Sequence, residues 1–105
     1  MKVKKLYMSK FGDLINSTIP VLIQFTTSHN PECEQMHEII EEVALEMGDK
    51  LIIIKIDILK NKELTEALRI KTAPTLMVYK SGAMVWRQSG LTDKNSLVMI
   101  AKAFN

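Results

Sequence analysis

Residues 21 to 25 read VLIQF, five positions of which only Gln24 is polar. The run is too short for a helix and shows no polar alternation, so it predicts a strand covered on both faces. A central strand of this kind needs neighbours at its edges and helices above and below it, which points to a layered α/β arrangement. LIIIKIDI at 51–58 has the same character and is read as a second strand.

The remaining elements follow from changes of period. VKKLY at 3–7 alternates weakly as a short strand. Residues 8–16 place Phe11, Leu14 and Ile15 at helical spacing behind Ser9, a candidate N-cap. Ser17 to Pro20 break the chain before the central strand. NKELTEALRI at 61–70 reads as a helix, and TLMVYK at 75–80 with AMVWRQ at 83–88 flank a Ser81-Gly82 hairpin turn. A last helix is predicted from Thr92 to Phe104. The order βαβαβαββα gives an α/β class with a central mixed sheet and helices on both faces, expected as one domain over 1–105.

The helix beginning near residue 31 carries the one cysteine of the chain. Asn30 is a suitable N-cap, Pro31 fits the first helical position because its missing N–H would have been unpaired there, and Glu32 favours the positive helix end. Cys33 then stands at N3. Steps of ~100° per residue put Cys33, Met36, Ile40, Val43, Ala44 and Met47 on one stripe and Glu34, Glu38, Glu42 and Glu46 opposite. Seven acids and no Lys or Arg fall between residues 31 and 49, which reads as a solvated helix face. His29, Cys33 and His37 have an H-x3-C-x3-H spacing, but the cap and Pro31 leave His29 outside the helix, so no metal site is expected. His37 is read as a partly exposed helix histidine. Lys55 is expected either to snorkel or to pair with Asp57 or Glu42, and Met8, Met36, Met47, Met77, Met84 and Met99 are read as core filling.

Net charge is only +2 and the basic residues are scattered without aromatic interleaving, so nucleic acid is not an expected partner. No stretch approaches ~18 uninterrupted apolar residues and no signal-peptide pattern opens the chain, so neither membrane nor export is expected. A single cysteine agrees with a reducing, cytoplasmic location.

Taken together, VLIQF leading to a short motif at a helix start, KIDI in the next strand, TAPT before the hairpin, KSGAMV across it and SGLTDKNSLVMIAKAF at the end resemble the thioredoxin family over about the whole chain. In that family the strand–helix junction carries Trp-Cys-Gly-Pro-Cys, an exposed nucleophilic thiol followed by a buried resolving thiol. The matching residues are His29, Asn30, Pro31, Glu32 and Cys33, so Asn30 replaces the nucleophile and Cys33 keeps the resolving position. Gln24 falls where the family has a buried aspartate that relays a proton, Thr26 replaces a second tryptophan, and Glu38 replaces a helix-kinking proline. Lys55, Pro74, Gly82 and Gly90 match the family pattern.

The resemblance implies a thioredoxin fold, and the departures imply a changed chemistry. One cysteine cannot close an intramolecular disulfide, so the dithiol cycle is not expected. The resemblance also implies a cis bond before Pro74 and a peptide groove lined by His29, Pro31, Glu32, Ala73, Pro74, Thr75 and Gly90. A client protein or peptide beside Pro74 is therefore the expected partner, with no cofactor. The alternatives are a single-thiol oxidoreductase in which Cys33 forms mixed disulfides with glutathione or clients, and a Cys33-linked homodimer. With dithiothreitol at low concentration, the protein is expected to accelerate insulin disulfide reduction no more than a thiol-free control does. Dithiol turnover above that control would contradict this reading.

Overall fold

The computed structural model describes residues 8–105, and the strand expected at 3–7 lies outside them. The described elements are α1 (Met8–Ile15), β1 (Val21–Thr26), α2 (Pro31–Met47), β2 (Ile52–Asp57), α3 (Lys62–Ala67), β3 (Thr75–Lys80), β4 (Ala83–Ser89) and α4 (Lys94–Ala103). Ser9 falls inside α1 rather than at its cap, and a short 3₁₀ turn at Gly48–Lys50 follows α2. The sheet order is β2-β1-β3-β4, with β1 parallel to β2 and antiparallel to β3. This is a thioredoxin fold, a mixed sheet with helices on both faces.

All six residues of β1 are buried, as a strand with a sheet neighbour on each edge and a helical layer on each face must be. Its alternating side chains separate two cores. Val21, Ile23 and Phe25 pack with Phe11 and Ile15 of α1, Leu64 of α3, and Ile54, Ile56, Met77 and Tyr79 of the sheet. Leu22 faces the other way, joining Leu76 and Val78 with Met36, Ile40 and Val43 of α2 and Leu97, Val98 and Ala101 of α4.

The helix ends follow local chemistry. Gly48 takes φ 57° after α2 and donates its N–H to Ala44 O, a left-handed stop that glycine adopts readily. The final helix starts later than Thr92 because Asp93 caps it, accepting from Ser96 N at 3.0 Å and Ser96 Oγ at 2.7 Å. These bonds from Ser96 hold the Asp93 carboxyl below its ordinary pKa. The hairpin turn has positive φ at both Ser81 and Gly82, the conformation that matches strand twist in a two-residue turn.

Two expectations are corrected. Ala44 is exposed because it lies at the margin of the α2 stripe, whereas Cys33, Met36, Ile40, Val43 and Met47 are buried. Met84 and Met99 are exposed, on the outer strand and on the solvent side of α4, and fill no core. Met36 is 0 % and Met99 71 % exposed, so urea denaturation should separate them. Met36→Ala is expected to cost roughly 2–5 kcal/mol through lost burial and a cavity, and Met99→Ala within about 0.5 kcal/mol of nothing. Equal losses would contradict the packing described.

Candidate functional site

After Thr26 the chain leaves the sheet through Thr27, Ser28 and His29, and His29 takes φ 56°. Asn30 then returns to an extended conformation, φ −119° and ψ 114°, from which α2 starts at Pro31. Its side chain works at both ends. Oδ1 accepts the N–H of Cys33 at 3.0 Å, satisfying one of the donors that a helix start leaves unpaired. Nδ2 donates to the carbonyl of Ala73 at 3.4 Å, a long bond that joins the helix start to the loop before β3.

The Ala73–Pro74 bond in that loop is cis. The carbonyl of Pro74 accepts Gly90 N–H at 2.8 Å, and Gly90 has φ 83°, which a side chain would disfavour. Thr75 is 0 % exposed, with Oγ1 donating to Thr72 O at 2.7 Å, so its side chain braces the loop and does not reach its surface. The N–H of Ala73 makes no hydrogen bond among the described residues. His29, Pro31 and Glu32 are exposed on one side of the junction, and Ala73 and Gly90 are half-buried on the other.

Cys33 is a free thiol and 3 % exposed. It lies in the wall of a cleft of about 530 Å³, together with Thr26, Ser28, His37, Glu38 and Lys55. His37 is not engaged with the thiol. Its Nε2 lies 2.9 Å from Glu41 Oε1, one helical turn further on. The i, i+4 spacing of His37 and Glu41 was the sequence signal for this pair. Lys55 is half-buried and forms no ion pair with Asp57 or Glu42, which leaves the snorkelling arrangement. Asp57 instead accepts the N–H groups of Leu59 and Lys60 at 2.8 and 3.2 Å. Among the described residues no group of three His, Cys, Asp or Glu side chains is arranged to hold a metal.

The contact that sequence reasoning did not anticipate is the one from Asn30 to Ala73. The two are 43 residues apart, and only the pairing of β1 with β3 brings them together. Packing predicts that Cys33 is protected. A chromogenic disulfide should label it much more slowly in the native protein than in denaturant, and native labelling as fast as that of free cysteine would contradict its placement.

Comparison with known proteins gives one answer from sequence and structure. Residues 2–103 match the family model described as Thioredoxin. A thioredoxin of Rickettsia bellii is 31% identical over 86 residues, covering 82% of each chain. A thioredoxin-like protein of Synechocystis sp. is 29% identical over 104 residues, covering 99% of each. The crystal structure of chloroplastic thioredoxin z superimposes with a TM-score of 0.83 at 23% identity, over 99% of this chain and 95% of that one. No helix among the described residues is long and apolar enough to cross a membrane.

Proposed function

The chain belongs to the thioredoxin family, and from that premise we propose that it has lost the dithiol cycle and acts mainly as a peptide- or protein-binding module in a cytoplasmic redox or protein-handling setting. The observation that carries this reading is Asn30. Its carbonyl oxygen accepts the helix-start N–H of Cys33, so the cap is retained by a group that is neither charged nor nucleophilic. The scaffold keeps its shape at the point where the reagent would stand.

Binding is supported by the loop opposite. Ala73 offers an unpaired N–H and a carbonyl held only by the long bond from Asn30. An extended peptide laid along Ala73 would pair with both, as an added strand does. His29, Pro31, Glu32 and Gly90 flank that line, and Pro74 and Thr75 hold its backbone in place.

A second reading, single-thiol exchange, is supported by the position of Cys33 in the cleft wall. Its thiolate would attack a disulfide such as oxidised glutathione, form a mixed disulfide and release one thiolate, and an external thiol would restore Cys33. Near-complete burial of Cys33, with Glu32 and Glu34 beside it in sequence, opposes the thiolate that this exchange needs. A dimer linked through Cys33 meets the same obstacle of burial.

Carboxymethylated insulin B chain, which cannot exchange disulfides, is a suitable probe in a ¹⁵N-labelled NMR titration. Shifts are expected at Asn30, Ala73, Thr75 and Gly90, with none at Glu46 to Lys50 at the far end of α2. A titration that leaves the Ala73 amide unmoved would contradict the binding reading.

A further inference from the structure

The apolar layer beneath α2 stops short of the site. Leu22 and Leu76 continue it under Ile40 and Val43, but the next inward residue of β1 on that face is Gln24, whose partner on β2 is Lys55. Around this pair lies a chamber of about 230 Å³, walled by Ile40, Ala44 and Ile53 with His37 and Glu41 at its side. Lys55 and His37 also belong to the wall of the cleft beside Cys33, so the two spaces adjoin.

Two residues that line the chamber carry donors without a protein partner among the described residues. Gln24 is 1 % exposed, and its Nε2 has no hydrogen-bond partner among the described residues, a deficit that folded proteins normally avoid. Lys55 forms no ion pair among them. Neighbouring strands lie about 4.8 Å apart, so these cross-strand partners can donate to one small acceptor group between them. The chamber's acid, Glu41, is already engaged by His37. Further out the charge reverses, because Glu34 and Glu38 line the cleft without ion-pair partners, beside His29.

We propose that chamber and cleft together bind a small zwitterion of the amino-acid or short-peptide class. Its carboxylate accepts from Gln24 Nε2 and Lys55 Nζ, an aliphatic side chain lies against Ile40 and Ile53, and its ammonium faces Glu34 and Glu38. The cleft volume falls within the range of ~300–1,000 Å³ usual for small-molecule sites. The reversal of charge from chamber to mouth selects against simple anions, which Glu34 and Glu38 repel, and against simple cations, which Lys55 repels. This site meets the peptide line along Ala73 only at His29, and it stands whether or not that line is used.

The test titrates leucyl-leucine into ¹⁵N-labelled protein and follows the side-chain NH₂ resonance of Gln24. N-acetyl-leucyl-leucine removes the ammonium, leucyl-leucinamide removes the carboxylate, and free leucine separates an amino-acid ligand from a peptide ligand. Saturable movement with leucyl-leucine or leucine is expected, about tenfold weaker for the amide and several-fold weaker for the acetylated form. Lys55→Met, which keeps the aliphatic stem, should weaken binding about tenfold. Should that variant fail to fold, the modified dipeptides on wild type decide alone. A Gln24 resonance that no ligand moves at millimolar concentration means that the chamber holds water only and overturns the proposal, as does an equal response to all three dipeptide forms.

Discussion

Everything at this site follows from how β1 is paired. The strand is parallel to β2 from Val21 to Thr26 and antiparallel to β3 from Val21 to Phe25, and all six of its residues are buried. A strand enclosed in this way has no freedom to slip, because a shift of one residue would turn Leu22 and Gln24 into the opposite core. Its end at Thr26 therefore fixes where the chain must turn, and four residues deliver it to the start of α2. The ladder to β3 begins at Thr75 opposite Phe25, which sets Ala73 and Pro74 beside that turn. Asn30 meets Ala73 because one strand governs both.

On the reading proposed above, an amide stands at this junction in place of a thiol, and the two roles of that thiol are separated. A thiolate at a helix start accepts backbone N–H bonds and carries the reactive charge. The amide of Asn30 accepts the same kind of bond, worth about 1 kcal/mol as a cap, and has no proton to lose. The helix start is thus held at every pH at which the fold survives, and Cys33 behind it is left without a partner thiol. Gln24 fits this pattern on the same reading, since the resemblance sets it where the family has a proton-relaying carboxylate and an amide cannot do that work. The position has not become apolar, and Gln24 keeps an unpartnered nitrogen in a recess otherwise walled largely by Ile40, Ala44 and Ile53.

Much of this was legible in the sequence, for reasons that lie in its residues. VLIQF lacked alternation because both faces are covered, Asn30-Pro31 announced the helix start, and Ser81-Gly82 announced the hairpin. The elements at 21–25, 75–80 and 83–88 differ from those observed by no more than a residue at either end. Helix ends were less legible: α4, expected from Thr92 to Phe104, runs from Lys94 to Ala103 behind the Asp93 cap, and the helix expected over 61–70 stops at Ala67. Methionine was the weakest guide, since its hydrophobicity does not distinguish Met36, inside the core, from Met99, on the outer side of α4. Long-range contacts left no local signal at all. The bond from Asn30 to Ala73 and the neighbouring placement of Gln24 and Lys55 depend on strand register, which a single sequence does not display.

The central claim is that Asn30 stands where the attacking thiol of a dithiol protein would stand, with Cys33 in position to receive it. The direct measurement is made on Asn30→Cys, oxidised under mild conditions and assayed for free thiols and intact mass. The account predicts that the folded monomer loses both free thiols and the mass of two hydrogens, because residues 30 and 33 flank the first turn of α2 with the cap donor of Cys33 between them. A variant that folds normally yet keeps two free thiols under those conditions would contradict it.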